Sequence, residues 1–333
     1  MKSPALFCSS LLCCLLAPSL LAAASTDPLA EMAGFSVFGK LALAELAKGD
    51  VKTAAGPPMN NPRYLSVQTC FVVPTAPAKV ITALKQFDPT AHRELKVYLH
   101  SDLPATPTPA NFARLEKASD NSAGKALAAA TQKMSSDLQL SRAEAQKFSP
   151  GQPVFAFWSD LLTKRAQDFA AGGVTREAPY DHAKAAVQPS KELSGLVRQQ
   201  EKINRQFGGF LGETGLINGK GSIRPELYWE LLEVEDEGVL TLGASFNRPT
   251  AGGGYQAADG LYYASGGYYV ALTLYQMWPI EVEGRAFTLI WRADLISASS
   301  LGELHGVERL ASESAMKKDI SRAVAIFKQT VGR

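Results

Sequence analysis

The sequence predicts an α+β protein: an antiparallel β-sheet packed against a long C-terminal helix, with a largely helical block between its second strand and a β-meander. Three observations carry this prediction. Turn-punctuated β-type runs follow one another from Leu227 to Asp294, alanine-rich helical segments fill 104–221, and the apolar residues of Ser312 to Val331 form one stripe. A chain of 333 residues that is 46% hydrophobic and 20% charged can bury one large core or two smaller ones, which excludes intrinsic disorder and collagen-like architecture. The 34 Lys and Arg against 32 Asp and Glu leave a net charge of +2, far from the basic excess needed to track a phosphate backbone. Nucleic acid is therefore not an expected partner.

Met1-Lys2, the apolar run Ala5 to Leu21 and the small residues Ala22-Ala23-Ala24-Ser25 read as a signal peptide over residues 1–24. A membrane anchor fits less well, because Ser9, Ser10, Pro18 and Ser19 interrupt the run, which falls short of the ~20 apolar residues of a spanning helix. The expected location is a bacterial periplasm or the exterior, with no transmembrane segment after cleavage. Lipoprotein processing is the alternative, but none of Cys8, Cys13 and Cys14 follows the Leu-small-small pattern of a lipidated cysteine. Cleavage leaves Cys70 alone in the apolar run Cys70-Phe71-Val72-Val73, so packing rather than disulfides is expected to hold the fold.

In chain order, Leu29, Met32, Phe35, Leu41 and Leu46 predict a helix over 28–48, an appendage that ends at Gly49-Asp50 and a proline-rich linker, so that 25–62 stands apart from a single domain over 63–331. Tyr64 to Val73 is a strand. Pro74-Thr75-Ala76-Pro77 then opens a short helix with the apolar face Val80, Ile81, Leu84 and Phe87, and Leu95 to His100 is the second strand. Five helices are expected within 104–221: Ala110 to Lys117, Ser122 to Lys133, Ser141 to Phe148, Val154 to Ala171 and Ser190 to Phe207. A hairpin follows, Leu227 to Glu235 and Val239 to Phe246 about a turn at Asp236-Glu237-Gly238. Further strands are expected at Leu261 to Ala264, Tyr268 to Trp278 and Ala286 to Asp294, set off by glycine-containing turns. The strand Tyr268 to Met277 is apolar on both faces, which requires two covers, one supplied by the helical block. Met316, Ile320, Ala323, Val324, Phe327 and Val331 give the last helix its stripe.

The stretch Val67-Gln68-Thr69-Cys70-Phe71-Val72-Val73-Pro74-Thr75-Ala76-Pro77-Ala78-Lys79-Val80-Ile81-Thr82-Ala83-Leu84 resembles the first strand and first helix of the START-like helix-grip superfamily, where an apolar strand, a small-Pro turn and a Val-x-x-x-Leu helix recur. The resemblance covers about 64–100 and 225–331 and departs from the family at the helical insertion 104–221. It implies a curved sheet gripping the last helix, with a pocket between them for lipids, sterols, polyketides or other hydrophobic molecules. It brings no catalytic residues and no cofactor.

On that reading Trp229, Phe246, Leu272, Trp291, Met316, Ile320 and Phe327 are the candidate pocket wall, with Glu230, Asp294 and Tyr275 as polar candidates. The same apolar residues form an ordinary core if no cavity exists. Six of the ten tyrosines lie between Tyr255 and Tyr275 and suit either an amphipathic surface or cross-strand packing. Arg292 stands two residues from Asp294 on one strand face and can pair with it. Gly215 to Gly221 lacks the spacing of a phosphate-binding loop, no Gly-x-Ser-x-Gly elbow occurs, and His92, His100, His182 and His305 are not spaced for a metal. Two other classes stay open: an exported hydrolase-type enzyme with Glu230, Asp294 or His100 as acid/base, and an envelope protein that docks a partner on its helical block.

Overall fold

The computed structural model describes residues 27–331, and the expected signal peptide at 1–24 lies outside them. The protein is α+β. Its strands are β1 (Val51–Ala55), β2 (Tyr64–Val73), β3 (Val97–Leu103), β4 (Glu226–Val234), β5 (Glu237–Pro249), β6 (Tyr255–Ala264), β7 (Val270–Val282) and β8 (Arg285–Ser297). They form one antiparallel sheet in the order β1-β2-β8-β7-β6-β5-β4-β3. Helices α1 (Pro28–Phe35) and α2 (Leu43–Ala47) precede the sheet, and α3 (Pro77–Lys85) joins β2 to β3. Between β3 and β4 come α4 (Ser122–Gln132), α5 (Arg142–Ala145), α6 (Val154–Gly172), α7 (Pro189–Arg198) and α8 (Glu201–Gly212), and α9 (Ser299–Glu303) and the long α10 (Gly306–Val331) close the chain.

Both faces of the sheet are covered, and all ten residues of β2 are buried. On one face Trp229, Trp291, Phe246 and Leu272 pack under the N-terminal helices and the block between β3 and β4. On the other, Val67, Phe71, Met277 and Ile290 meet Val80 and Ile81 of α3 and Ile320, Val324 and Phe327 of α10. The tyrosines near Tyr262 serve the first interface: Phe169 of α6 stacks on Tyr262 at 3.9 Å, and the Arg165 guanidinium lies 4.3 Å from the Tyr263 ring centroid. Arg165 is held by Glu144 at 2.7 Å and Glu177 at 3.0 Å. Burial opposes its charge, but the two carboxylates outweigh burial and keep it a cation.

Several expected boundaries shift, each because a tertiary partner competes with local pattern. The helix expected over 28–48 is two helices, since Val37 N–H donates to Gln68 Oε1 on β2 at 3.0 Å and Phe38 N–H to Ser36 Oγ at 3.1 Å, which removes both from the helical ladder. This segment is no appendage: Met32 is fully buried, and Phe35 meets Trp291 edge-on at 4.8 Å. Val51–Ala55, whose last two residues open the expected linker and whose first three had no expected element, is a strand because the free edge of β2 supplies its pairing. The helix expected over 190–207 breaks at Gln200, whose amide donates to Pro57 O at 3.1 Å.

The segment 109–120 is 3₁₀ rather than α-helical. The β4–β5 turn falls at Glu235 and Asp236, both at positive φ, one residue before the expected position. Gly238 therefore lies within β5 and has another purpose: a Cβ there would stand 1.7 Å from the Ala123 carbonyl oxygen, so only glycine lets α4 approach. β6 begins at Tyr255 rather than Leu261, pairing with both β5 and β7.

Candidate functional site

On the face shared by α3 and α10, the two helices leave part of the sheet uncovered. A cleft of about 420 Å³ remains there, within the ~300–1,000 Å³ usual for small-molecule sites. Its walls are apolar. Ile81 and Leu84 project from α3, Phe87 follows that helix, and Ala323 and Phe327 come from α10, with Phe87 and Phe327 in edge contact at 6.2 Å. His92 stacks on Phe87 at 5.3 Å and braces the connection to β3. At the rim, Lys85 of α3 pairs with Glu226 of β4, and Asp102 stands 89% exposed.

The floor is polar because strand pairing puts polar residues opposite one another. Ser245, Asp259, Thr273 and Asp294 are successive partners across β5, β6, β7 and β8, so they form one row on one face. Ser245 Oγ donates to Asp259 Oδ2, and Thr273 Oγ1 donates to Asp294 Oδ1 at 3.0 Å. Arg292 grips Asp294 through Nε at 2.8 Å and Nη2 at 2.6 Å, and its guanidinium lies 5.5 Å from the ring centroid of its cross-strand partner Tyr275. From the other side Tyr228 Oη on β4 donates to Asp259 Oδ1 at 2.6 Å, crossing β5 over Gly243. A Cβ on Gly243 would lie 2.1 Å from Tyr228 Cζ, so the glycine makes the channel in which the ring lies. Beyond it, His100 Nδ1 and Glu230 Oε1 are 3.0 Å apart, opposite each other on β3 and β4.

Electrostatically the floor is graded. Burial raises the Asp259 carboxyl above its usual range, opposed by the hydrogen bonds from Ser245 and Tyr228. Burial, reinforced by the Asp259 charge, keeps Tyr228 a protonated donor, and burial lifts Tyr275 to about 12 against the pull of Arg292. For His100 burial favours the neutral ring, but the Glu230 hydrogen bond and charge, with Asp102 and Asp88, outweigh it and raise the imidazole pKa. Burial likewise opposes the Arg292 charge and is overcome by Asp294.

Of the residues singled out from the sequence, Phe327, Glu230 and Tyr275 line this cleft, Asp294 stands behind Arg292 on the same face, and Phe246 borders the cleft through its backbone while its side chain packs on the opposite face beside Ser245 of the floor. Ile320 and Met316 lie farther along α10, where Ile320 packs on the sheet. Trp229, Leu272 and Trp291 occupy the opposite face under the helical layer, with Trp229 Nε1 donating to Asn111 O at 3.2 Å and Trp291 Nε1 to Gln68 Oε1 at 3.0 Å. Strand alternation separates them from the cleft: Trp291 and Arg292 are neighbours in sequence and so face opposite ways. Sequence reasoning missed Asp259, Tyr228, Ser245 and Thr273. The signal that finds them is strand register, which required β6 to be traced back to Tyr255.

A second hollow of about 290 Å³ lies near the β4–β5 turn, where Lys184 pairs with Asp137 at the surface. Among the described residues no group of three His, Cys, Asp or Glu side chains is placed to hold a metal, and no helix is long and apolar enough to cross a membrane. The chain matches no protein-family model, no curated protein and no solved structure.

Proposed function

We propose that this protein binds an apolar or amphipathic small molecule in the cleft between the sheet and α10, in the manner of the START-like helix-grip proteins that its first strand and helix resemble. The observation that carries this reading is the division of the cleft, apolar on the α3 and α10 walls and polar on the sheet floor. Such a site removes a hydrocarbon body from water at ~25 cal/mol per Å² while the floor satisfies a polar end. The order of elements agrees with it: a strand leading into a short helix, a meander, and a last helix laid across the first long strand. On this reading the segment 104–221 is an insertion that covers the far face of the sheet, and residues 1–24 direct export to a periplasm or the exterior.

The test is native mass spectrometry of protein purified from Ser25 onward without detergent, followed by organic extraction. The expected result is a stoichiometric adduct, already present or formed on adding lipids or sterols. A clean apo mass that no such molecule shifts overturns the proposal.

One observation favours a second reading, an enzyme. The hydrogen-bonded His100–Glu230 pair and Asp259, with His100 and Asp259 both perturbed, share one cleft, as acid/base chemistry requires. Turnover of a bound molecule into a product of different mass in the same experiment would select it.

A further inference from the structure

The charged groups of the cleft pair off, the exposed rim residue Asp102 stands 3.7 Å from His100 Nε2, and one carboxylate of the floor, Asp259, is left over. Three basic side chains line it, and each has its own acid: Lys85 with Glu226 at the rim, His100 with Glu230, and Arg292 with Asp294. Arg292 is charge-paired, since its Nε and Nη2 clasp Asp294 and its guanidinium carbon lies 5.5 Å from the Tyr275 ring centroid. Asp259, in the middle of the floor, receives only the neutral hydroxyls of Tyr228 and Ser245 and, among the described residues, no hydrogen bond from a cation. A carboxylate has about four acceptor positions and two are taken, so Asp259 can still accept hydrogen bonds from the cleft side. Glu230, on the neighbouring strand pair of the same floor, adds negative potential even while it holds His100.

An anionic head group entering this cleft finds each cation already neutralised and Asp259 repelling it. A protonated amine finds an unpaired carboxylate flanked by a second one, under apolar walls that exclude water and strengthen the attraction. We infer that the polar end of the ligand is a protonated primary amine, seated on the Asp259 carboxylate with its hydrocarbon body against Leu84, Phe87 and Phe327. This inference rests on the proposed function and narrows it from amphipathic molecules in general to cationic amphiphiles.

A matched ligand series separates the two levels of the claim. Dodecylamine, dodecanol and dodecanoate share one chain and differ only at the head, and each is titrated near neutral pH, below the concentration at which it forms micelles, into the wild-type chain and into Asp259→Asn. The wild-type chain is expected to bind dodecylamine at least about tenfold more tightly than dodecanoate, with dodecanol between them. Asp259→Asn is expected to bring the amine down to the level of the alcohol. Equal binding of the three, or tightest binding of dodecanoate, overturns the head-group inference and leaves the apolar cleft standing. An amine preference that persists in full in Asp259→Asn overturns the assignment to that carboxylate. Failure of all three to bind overturns the proposed function itself. The wild-type series alone decides the charge preference, so it holds even where Asp259→Asn does not fold.

Discussion

His100 shows how one contact sets a titration. Burial by itself would lower the imidazole pKa, but Glu230 at 3.0 Å, aided by the charges of Asp102 and Asp88, more than compensates, so the folded value lies above the unfolded one near 6.5. A raised folded pKa means the charged pair stabilises the fold below the unfolded pKa, and that contribution fades as pH rises through the folded value. Glu230→Gln is accordingly expected to cost more stability at about pH 5.5 than at about pH 9, on either side of the unperturbed imidazole value. Urea unfolding of both proteins at the two pH values checks this, and equal losses would show that the pair carries no proton-linked stability. At this scale the sequence exposed only what lies within one strand. Arg292 and Asp294 are two residues apart and pair as their spacing suggests, whereas Asp259 takes its hydrogen bonds from residues 14 and 31 positions away.

Elements were legible where a long, regular pattern met no competitor. The runs of β4, β7 and β8 fall within a few residues of expectation, and α10 ends where its stripe predicts but begins six residues earlier, at Gly306, because the stripe marks only its packed part. Glycines misled, since a flexible residue marks either a turn or a close approach and local sequence does not say which. Gly238 was read as a turn and instead admits α4, and Gly243 opens the path by which Tyr228 of β4 reaches β6 across β5. Gly243→Ala is expected to lift the Tyr228 ring from this channel, break its bond to Asp259 and cost ~1–3 kcal/mol, as overpacking does. Because the tyrosine's contacts are then already lost, adding Tyr228→Phe should cost much less than it does in the wild-type chain. Additive losses in the double variant would contradict this geometry.

For the whole molecule, the N-terminal segment is the sharpest departure from local reading. Met32, Phe35, Phe38 and Leu46 are buried in the main core, and Glu31 accepts hydrogen bonds from Trp278 Nε1 and from the Gln206 amide, both at 2.9 Å. At ~1.5–3 kcal/mol for each large apolar side chain, their removal takes away much of the ~5–15 kcal/mol that holds a typical domain. A chain starting at Val51 is therefore expected to lose its cooperative thermal transition or to melt far below the full chain, with its tryptophan emission shifted toward that of solvent-exposed indole. An unchanged melting temperature would return this segment to the status of an appendage. The sequence by itself determined the α+β class, the meander, the apolar stripe of the last helix and the need for two covers on the central strands, because each is a periodicity repeated over neighbouring residues. Only the tertiary structure decided which face each strand residue joins, that residues 28–55 belong to the core and sheet, and that Asp259 sits at the centre of the cleft. Those outcomes depend on register between strands far apart in the chain, where a shift of one residue turns every side chain to the opposite face.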